Sequence, residues 1–381
     1  MKTIYFDYNA TTPLDPSVRE AMLPFLDEIF GNPSSAHHVG RRSRALLDDA
    51  RARVAGAWRC KPSEVVFSSG GTESNNLAIL GTARALRTKG RHLITSTIEH
   101  HAVLNCFEYL EKHENFGVTY LPANSEGLIS PEDLKKALRP DTTLVSLMSA
   151  NNEMGAIQPV AEFGEICRAR GVLFHTDALQ SFGKEPFAGV NQFNADLVSF
   201  CAHKLHGPKG AGALFIKSPL HLEPIILGGS HENERRAGTE NVPAIMGMAH
   251  AVENFLTPPI FPAENLNTLT MHLIQFLDSL EGVQFRGSKT RRLANTVAFT
   301  VEGCDSATLL AGLDLEGICA SSGSACASGA LEPSHVMSAM GVEKRLASSL
   351  VRFSLGRDST MEEVLTVEDV LKIVIKQARS H

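Results

Sequence analysis

The chain runs to 381 residues, of which 43% are apolar and 20% charged, and its formal net charge is −6. That length suits one large and one smaller hydrophobic core. The negative balance disfavours a nucleic-acid binder held by phosphate contacts, and no run approaches the ~18 uninterrupted apolar residues of a membrane-spanning helix.

The N-terminal stretch, Met1 to Pro13, lacks a basic region followed by an apolar run, so no export signal is read there. From Ser63 to Ile216, short β-branched runs alternate with amphipathic stretches of helical length. The predicted strands are 64–67, 92–95, 118–121, 143–147, 172–175, 196–200 and 213–216. This alternation predicts an α/β fold with a mostly parallel seven-stranded sheet covered by helices on both faces. In open sheets of that kind ligands sit beyond the carboxyl ends of the strands, so polar clusters that directly follow a strand are the most informative. Pro258, Pro259 and Pro262 then interrupt the chain, and a helical pattern from Ala263 to Leu280 opens a smaller α+β unit. We expect a large domain over residues 14–257 and a small domain made of 1–13 and 258–381.

Three clusters follow predicted strands. Ser68-Ser69-Gly70-Gly71-Thr72 precedes the apolar Leu77-Ala78-Ile79-Leu80. Glycines and a threonine at a helix start offer free N–H groups, a hydroxyl and the positive helix end to a phosphate; they equally make an ordinary capped helix. The G-x-x-x-x-G-K-[ST] phosphate loop is absent. In His175-Thr176-Asp177-Ala178-Leu179-Gln180 an aspartate emerges from an apolar strand, either to cap a helix or to hold a pyridine nitrogen protonated. In Cys201-Ala202-His203-Lys204-Leu205-His206-Gly207 a lysine stands beside a glycine-rich turn. Desolvation there would lower its pKa and suit a Schiff base with an aldehyde, whereas in solvent it is a plain loop lysine.

Two residue types remain. The seven cysteines, at 60, 106, 167, 201, 304, 319 and 326, are odd in number and include no C-x-x-C pair, which suits a reducing cytoplasm. The fifteen histidines lack the i, i+4 spacing of a zinc helix, so no metal site is expected. Around Cys326, from about 316 to 333, small residues without apolar periodicity predict a mobile loop, an odd place for a packing cysteine. Cys319, in an apolar run, reads as core.

Phosphate cradle, ring partner and amine thus follow one another on strand ends. Together with Asp7-Tyr8-Asn9-Ala10-Thr11-Thr12-Pro13, Gly31-Asn32-Pro33-Ser34-Ser35 and Arg352-Phe353-Ser354-Leu355-Gly356, they span the whole chain. They make it resemble the cysteine desulfurases of the NifS/IscS type, class V aminotransferase relatives among the fold-type I enzymes of pyridoxal 5'-phosphate (PLP). The resemblance implies a fold-type I PLP-dependent transferase, cytoplasmic and homodimeric, that takes sulfur from L-cysteine and leaves L-alanine and a persulfide on Cys326. It gives catalytic roles to Cys326, to Lys204 as the Schiff-base lysine, and to His100, which would stack on the ring and move protons.

The same resemblance places Gly71, Thr72, Cys201 and His203 at the cofactor phosphate, Asp177 at the pyridine nitrogen, and Asn152 and Gln180 at the phenolic oxygen. Thr239 would reach the phosphate of the neighbouring subunit, and Arg352, helped by Asn32, would grip the substrate carboxylate. Cys201 departs from the pattern, because the family usually has a serine there and a thiol is the weaker donor. No resident metal is implied, Cys326 being at most a transient iron–sulfur ligand. The sulfur would pass to an acceptor protein, an iron–sulfur scaffold or a tRNA-thiolation enzyme, with no direct contact to nucleic acid or membrane. The chain ends at Arg379-Ser380-His381, without the longer tail by which the housekeeping branch docks its scaffold. Two other readings compete: another enzyme of the same fold, a selenocysteine lyase or aminotransferase, and a non-catalytic sulfur-relay subunit. The set Lys204, Asp177, Gln180 and His100 argues against the relay.

Overall fold

The structure, a computed structural model, describes residues 3–323 and 333–379. Its strands, in chain order, are β1 (Ile4–Tyr5), β2 (Val65–Ser68), β3 (His92–Ser96), β4 (Gly117–Leu121), β5 (Thr142–Ser146) and β6 (Leu173–Asp177). They continue with β7 (Leu197–Cys201), β8 (Gly212–Ile216), β9 (Val283–Arg286), β10 (Thr296–Val301), β11 (Ile318–Cys319) and β12 (Val351–Ser354). Strands β2 to β8 form one seven-stranded sheet in the order β2-β8-β7-β6-β5-β3-β4. Only β8 runs against its neighbours β2 and β7; the pairs β7–β6, β6–β5, β5–β3 and β3–β4 are parallel. Every predicted strand of the sheet is present, displaced by one residue or so at its ends.

The strands are apolar throughout because both faces are covered, and successive residues feed different cores. Val65, Phe67, Ile94, Val145, Val198 and Phe215 join one hydrophobic cluster, with Leu47, Val54 and Trp58 of the helix His38–Trp58 and Ile245, Met248 and Val252 of the helix Val242–Phe255. Their alternates Val66, Leu93, Leu144, Leu197, Leu214 and Ile216 join another, with Leu77 and Ile79 and with Val103, Phe107 and Leu110 of the helix His101–His113. A sheet clamped this way has fixed strand ends, and strand ends are where the polar clusters lie.

A third cluster is built apart from that sheet. The antiparallel sheet β12-β10-β9 packs Val297, Phe299, Val301, Val351 and Phe353 against the helices Ala263–Asp278, Ser306–Leu315 and Met361–Ala378. Ile4 and Phe6 belong to the same cluster, and β1 pairs in parallel with β11. The segment after β1 therefore leaves this cluster and crosses to the carboxyl end of β7 in the large sheet: Asp7 bridges to Ser354, while Thr12 N–H donates to His203 O (3.0 Å).

One aromatic contact set stiffens the larger core near the site. The Phe182 ring lies 4.9 Å from Phe200, 5.1 Å from Phe187, 5.7 Å from Trp58 and 5.9 Å from Phe193, centroid to centroid. Phe182→Ala is expected to cost about 3–5 kcal/mol through lost burial and an unfilled cavity. A lowered urea midpoint at unchanged slope checks this.

Candidate active site

Loops from the carboxyl ends of β2, β3, β5, β6 and β7 converge on a cavity of ≈ 210 Å³. It is lined by Gly71, Thr72, His100, Asn152, Asp177, Gln180, His203, Lys204 and Arg352, all expected from the sequence, and by Asn9, Ala10, Asn75, Met148, Ala150 and Leu179. Asp177 ends β6, while Lys204 closes the short 3-10 turn that follows β7. Gly71 starts a helical run that continues, through a π-helical turn, to Leu86. A Cβ at Gly71 would meet Leu179 Cδ2 at 2.0 Å, so any larger residue there would have to displace the Leu179 side chain, which lines the cavity.

Hydrogen bonds orient these groups. Asn75 Nδ2 donates to Asp177 Oδ2 (2.7 Å) and Leu179 N–H to Asp177 Oδ1 (3.1 Å), which fixes the carboxylate plane. His100 caps its helix through Nδ1, which accepts from Ala102 N–H (3.0 Å); the neutral ring therefore carries its proton on Nε2. Lys204 Nζ donates to the carbonyls of Asn9 and of Ala10 (2.8 Å). Burial is the main reason the Lys204 ammonium titrates below its usual 10.5. Burial likewise lowers His100, and it brings His203 down to about 4, leaving a neutral ring that bonds Thr11 Oγ1 (3.2 Å).

Arg352 is 1% exposed. Its NH2 donates to Asp7 Oδ1 (2.6 Å) and its NH1 to Asn152 O (2.9 Å) and Gly323 O, while Nε has no partner among the described residues. Asp177 is the one carboxylate lining the cavity among the described residues, against Lys204 and Arg352. A cation-rich cavity with an amine at one wall, a carboxylate at another and a helix start at a third fits an anionic, phosphate-bearing aldehyde cofactor.

Other expected residues lie elsewhere. Cys201 ends β7 with 0% exposure, outside the cavity lining, and burial pushes its thiol up to about 12. Thr239 lines a separate cleft with Ser68, Ser69 and Glu240. That loop is tied to the cradle helix by Arg236, whose Nε donates to Glu73 Oε1 (2.8 Å). Asn32 is exposed and spends Oδ1 on Ser34 N–H (2.9 Å). Cys326 lies outside the described residues. Described residues flanking that segment are anchored close to the cavity: Gly323 O on Arg352, and Ser334 Oγ on the buried Glu153 Oε2. His335 Nε2 adds a bond to Glu99 O (2.9 Å). Among the described residues, no group of three or more His, Cys, Asp or Glu side chains is placed to hold a metal ion, and no helix is long and apolar enough to cross a membrane.

Asn9, Asn75 and Lys184 were not anticipated as parts of the site. Their side chains are amides and an amine with no distinctive spacing; the only sequence signal was that Asn9 sits inside the Asp7 to Pro13 motif and Lys184 one helical turn beyond Gln180.

The family model described as Aminotransferase class-V matches residues 4–367. The chain is 47% identical over 380 residues to the cysteine desulfurase IscS of Dictyoglomus turgidum, covering 100% of this chain and 96% of that protein. It is 45% identical to the cysteine desulfurase IscS of Methanosarcina thermophila, covering 100% and 93%. Among solved structures, a NifS-like protein superposes with a TM-score of 0.89 at 37% identity, covering 99% of each chain. SspA in complex with cysteine superposes with a TM-score of 0.82 at 36% identity, covering 94% of this chain and all of that one.

Behind His100, Glu99 is fully buried, accepting from Ser96 Oγ (2.6 Å) and Met148 N–H (3.1 Å). Burial raises its carboxyl from 4.5 to about 8, so it stays protonated in the folded chain at neutral pH. Between these values the unfolded chain has released this proton and the folded chain has not, so this residue's contribution to stability falls as pH rises from 4.5 to 8. Glu99→Gln mimics the protonated acid. Its denaturation midpoint is expected to fall less than that of the wild type between pH 5 and pH 8, as paired urea titrations would show.

Proposed function

The chain belongs to the class-V aminotransferase family and is a PLP-dependent cysteine desulfurase; we propose that it works through Lys204, His100 and Cys326. The observation that carries this reading is the meeting of Lys204, Asp177 and Arg352 on one cavity, with the flanks of the Cys326 segment anchored beside it.

When bound, the cofactor supplies an aldehyde that condenses with amines and a protonated ring that draws electrons from the substrate's α-carbon. Lys204 is the amine that holds it, because burial keeps more of its side chain neutral and nucleophilic than in solvent. Asp177, fixed by Asn75, would serve as counter-charge to the ring nitrogen. Gly71, Thr72 and His203 would hold the phosphate, and Gln180 and Asn152 the phenolic oxygen. Arg352 would bind the substrate carboxylate, without Asn32, which lies outside the cavity lining.

Proton movement falls to Lys204 and His100. The neutral His100 ring, with Nδ1 committed to the helix start, exchanges its proton at Nε2. The Cys326 thiolate attacks the sulfur of L-cysteine: an S–S bond forms as the C–S bond breaks, the former β-carbon gains a proton, and L-alanine leaves. Cys326 keeps the extra sulfur as a persulfide, which passes to an acceptor protein of iron–sulfur cluster assembly or tRNA thiolation. We also propose a homodimer. Thr239 lies in a cleft separate from this chain's cavity, and a second copy would bring that threonine to its neighbour's phosphate.

Two variants test the reading. Lys204→Ala is expected to lose the visible absorbance that borohydride bleaches in the wild type, and all alanine formation with it. Cys326→Ser should keep the absorbance and lose alanine formation from L-cysteine by about 100-fold or more, the scale of a removed nucleophile. Alanine formation undiminished in Cys326→Ser, assayed by amino-acid analysis, would remove that residue from the mechanism.

A further inference from the structure

Lys184 is a deeply buried amine near the site, and the mechanism above does not use it. It is 2% exposed, and its ammonium is in ion-pair range of no carboxylate among the described residues. Gly183, at φ +73°, makes the turn that sends it inward, where a Cβ would meet Leu205 Cδ1 at 2.0 Å. Its Nζ donates to Asn9 Oδ1 (2.6 Å) and to Gln180 Oε1 (2.6 Å), and lies 5.4 Å from the Phe261 ring centroid. An apolar side chain would fill such a place without the cost of burying an amine, so the two amide bonds are the feature that needs explaining.

Those bonds help to set which way both amides face; at Asn9 they are joined by Asn295 Nδ2, which donates to the same Oδ1 (3.1 Å), whereas Gln180 Oε1 has Lys184 as its donor. With Asn9 Oδ1 turned to Lys184, Asn9 Nδ2 faces Thr296 Oγ1 (2.9 Å) and Asn152 O (3.2 Å). With Gln180 Oε1 turned the same way, Gln180 Nε2 donates one hydrogen to Asn9 O (3.0 Å), the carbonyl that also receives Lys204 Nζ. Its second hydrogen remains for the cavity that Gln180 lines. Lys184 itself does not line that cavity.

We propose that Lys184 is a positioning residue, locking the Asn9 and Gln180 amides with their oxygens inward so that Gln180 presents an N–H to the edge of the bound cofactor ring. The inference rests on the PLP reading above and adds a residue that acts only through Gln180 and Asn9. An amine has two hydrogens for two oxygens whether charged or neutral, so the lock does not depend on protonation, although burial lowers this pKa well below its usual value.

The test is a double-mutant cycle on cofactor binding. Wild-type protein, Lys184→Met, Gln180→Ala and the double variant, each stripped of cofactor, are titrated with PLP and followed by absorbance; wild-type binding in the same titration tests the underlying reading separately. Lys184→Met is expected to weaken binding about tenfold, the scale of one lost hydrogen bond to a charged group, and to add little in the Gln180→Ala background. Lys184→Arg, which keeps donors, should restore binding to within a few-fold of the wild type. Unchanged binding by Lys184→Met, or losses that simply multiply in the double variant, would overturn the proposal. Should Lys184→Met not fold, Lys184→Leu, which also removes the donors, takes its place in the same cycle, with the same non-additivity expected and the same multiplication counting against it.

Discussion

Three buried or half-buried cations, Lys184, Lys204 and Arg352, are held by one short piece of chain, Asp7 to Ala10. Asp7 Oδ1 takes Arg352, Asn9 Oδ1 takes Lys184, and the carbonyls of Asn9 and Ala10 take Lys204. Burying positive charge costs several kcal/mol per group unless oxygens surround it, so this segment is what lets the cavity exist. It also spans the structure, since β1 just before it pairs with β11 and Thr12 just after it bonds the turn carrying Lys204. The cations' remaining need for negative charge suits the phosphate and carboxylate groups the site is proposed to bind.

The large sheet supplies the rest of the precision. Alternate residues of its strands bury into separate cores, which leaves the carboxyl ends little freedom to shift. Asp177 and Lys204 stand close to the ends of neighbouring strands β6 and β7, so their relative placement follows from strand pairing rather than from loop conformation. Asn75 then fixes the carboxylate from the cradle helix. The Cys326 segment has a different relation to this frame. Its described flanks are tied in through Gly323 on Arg352 and Ser334 on Glu153, so the residue proposed to bind the substrate carboxylate also contacts one flank of the segment that carries the proposed nucleophile.

The seven strands of the large sheet were legible because each is a short β-branched run between longer helical stretches, and the parallel character followed from that alternation. The reversed direction of β8 was not legible, because a strand buried on both faces reads the same either way. The two-residue pair of β1 and β11 left no periodic trace at all. Within the site, Lys204 and Asp177 stood out because they follow apolar strands directly, and the resemblance supplied their roles. Asn9, Asn75 and Lys184 were missed for a physical reason: a buried amide or lysine is defined by the partners that surround it, and those partners come from segments far apart in the chain. Arg352 was read as a carboxylate grip; its bond to Asp7 shows that it is also a structural link to the N-terminal segment.

The most direct measurement is the location of the transferred sulfur after one turnover. Wild-type enzyme loaded with PLP is mixed with one equivalent of L-cysteine, trapped with an alkylating reagent, digested and analysed by mass spectrometry. We expect one additional sulfur on the peptide containing Cys326, matched by one L-alanine per site, and none on Cys201 or Cys319. Extra sulfur on another cysteine, or alanine formed with no persulfide on Cys326, would contradict the site described above.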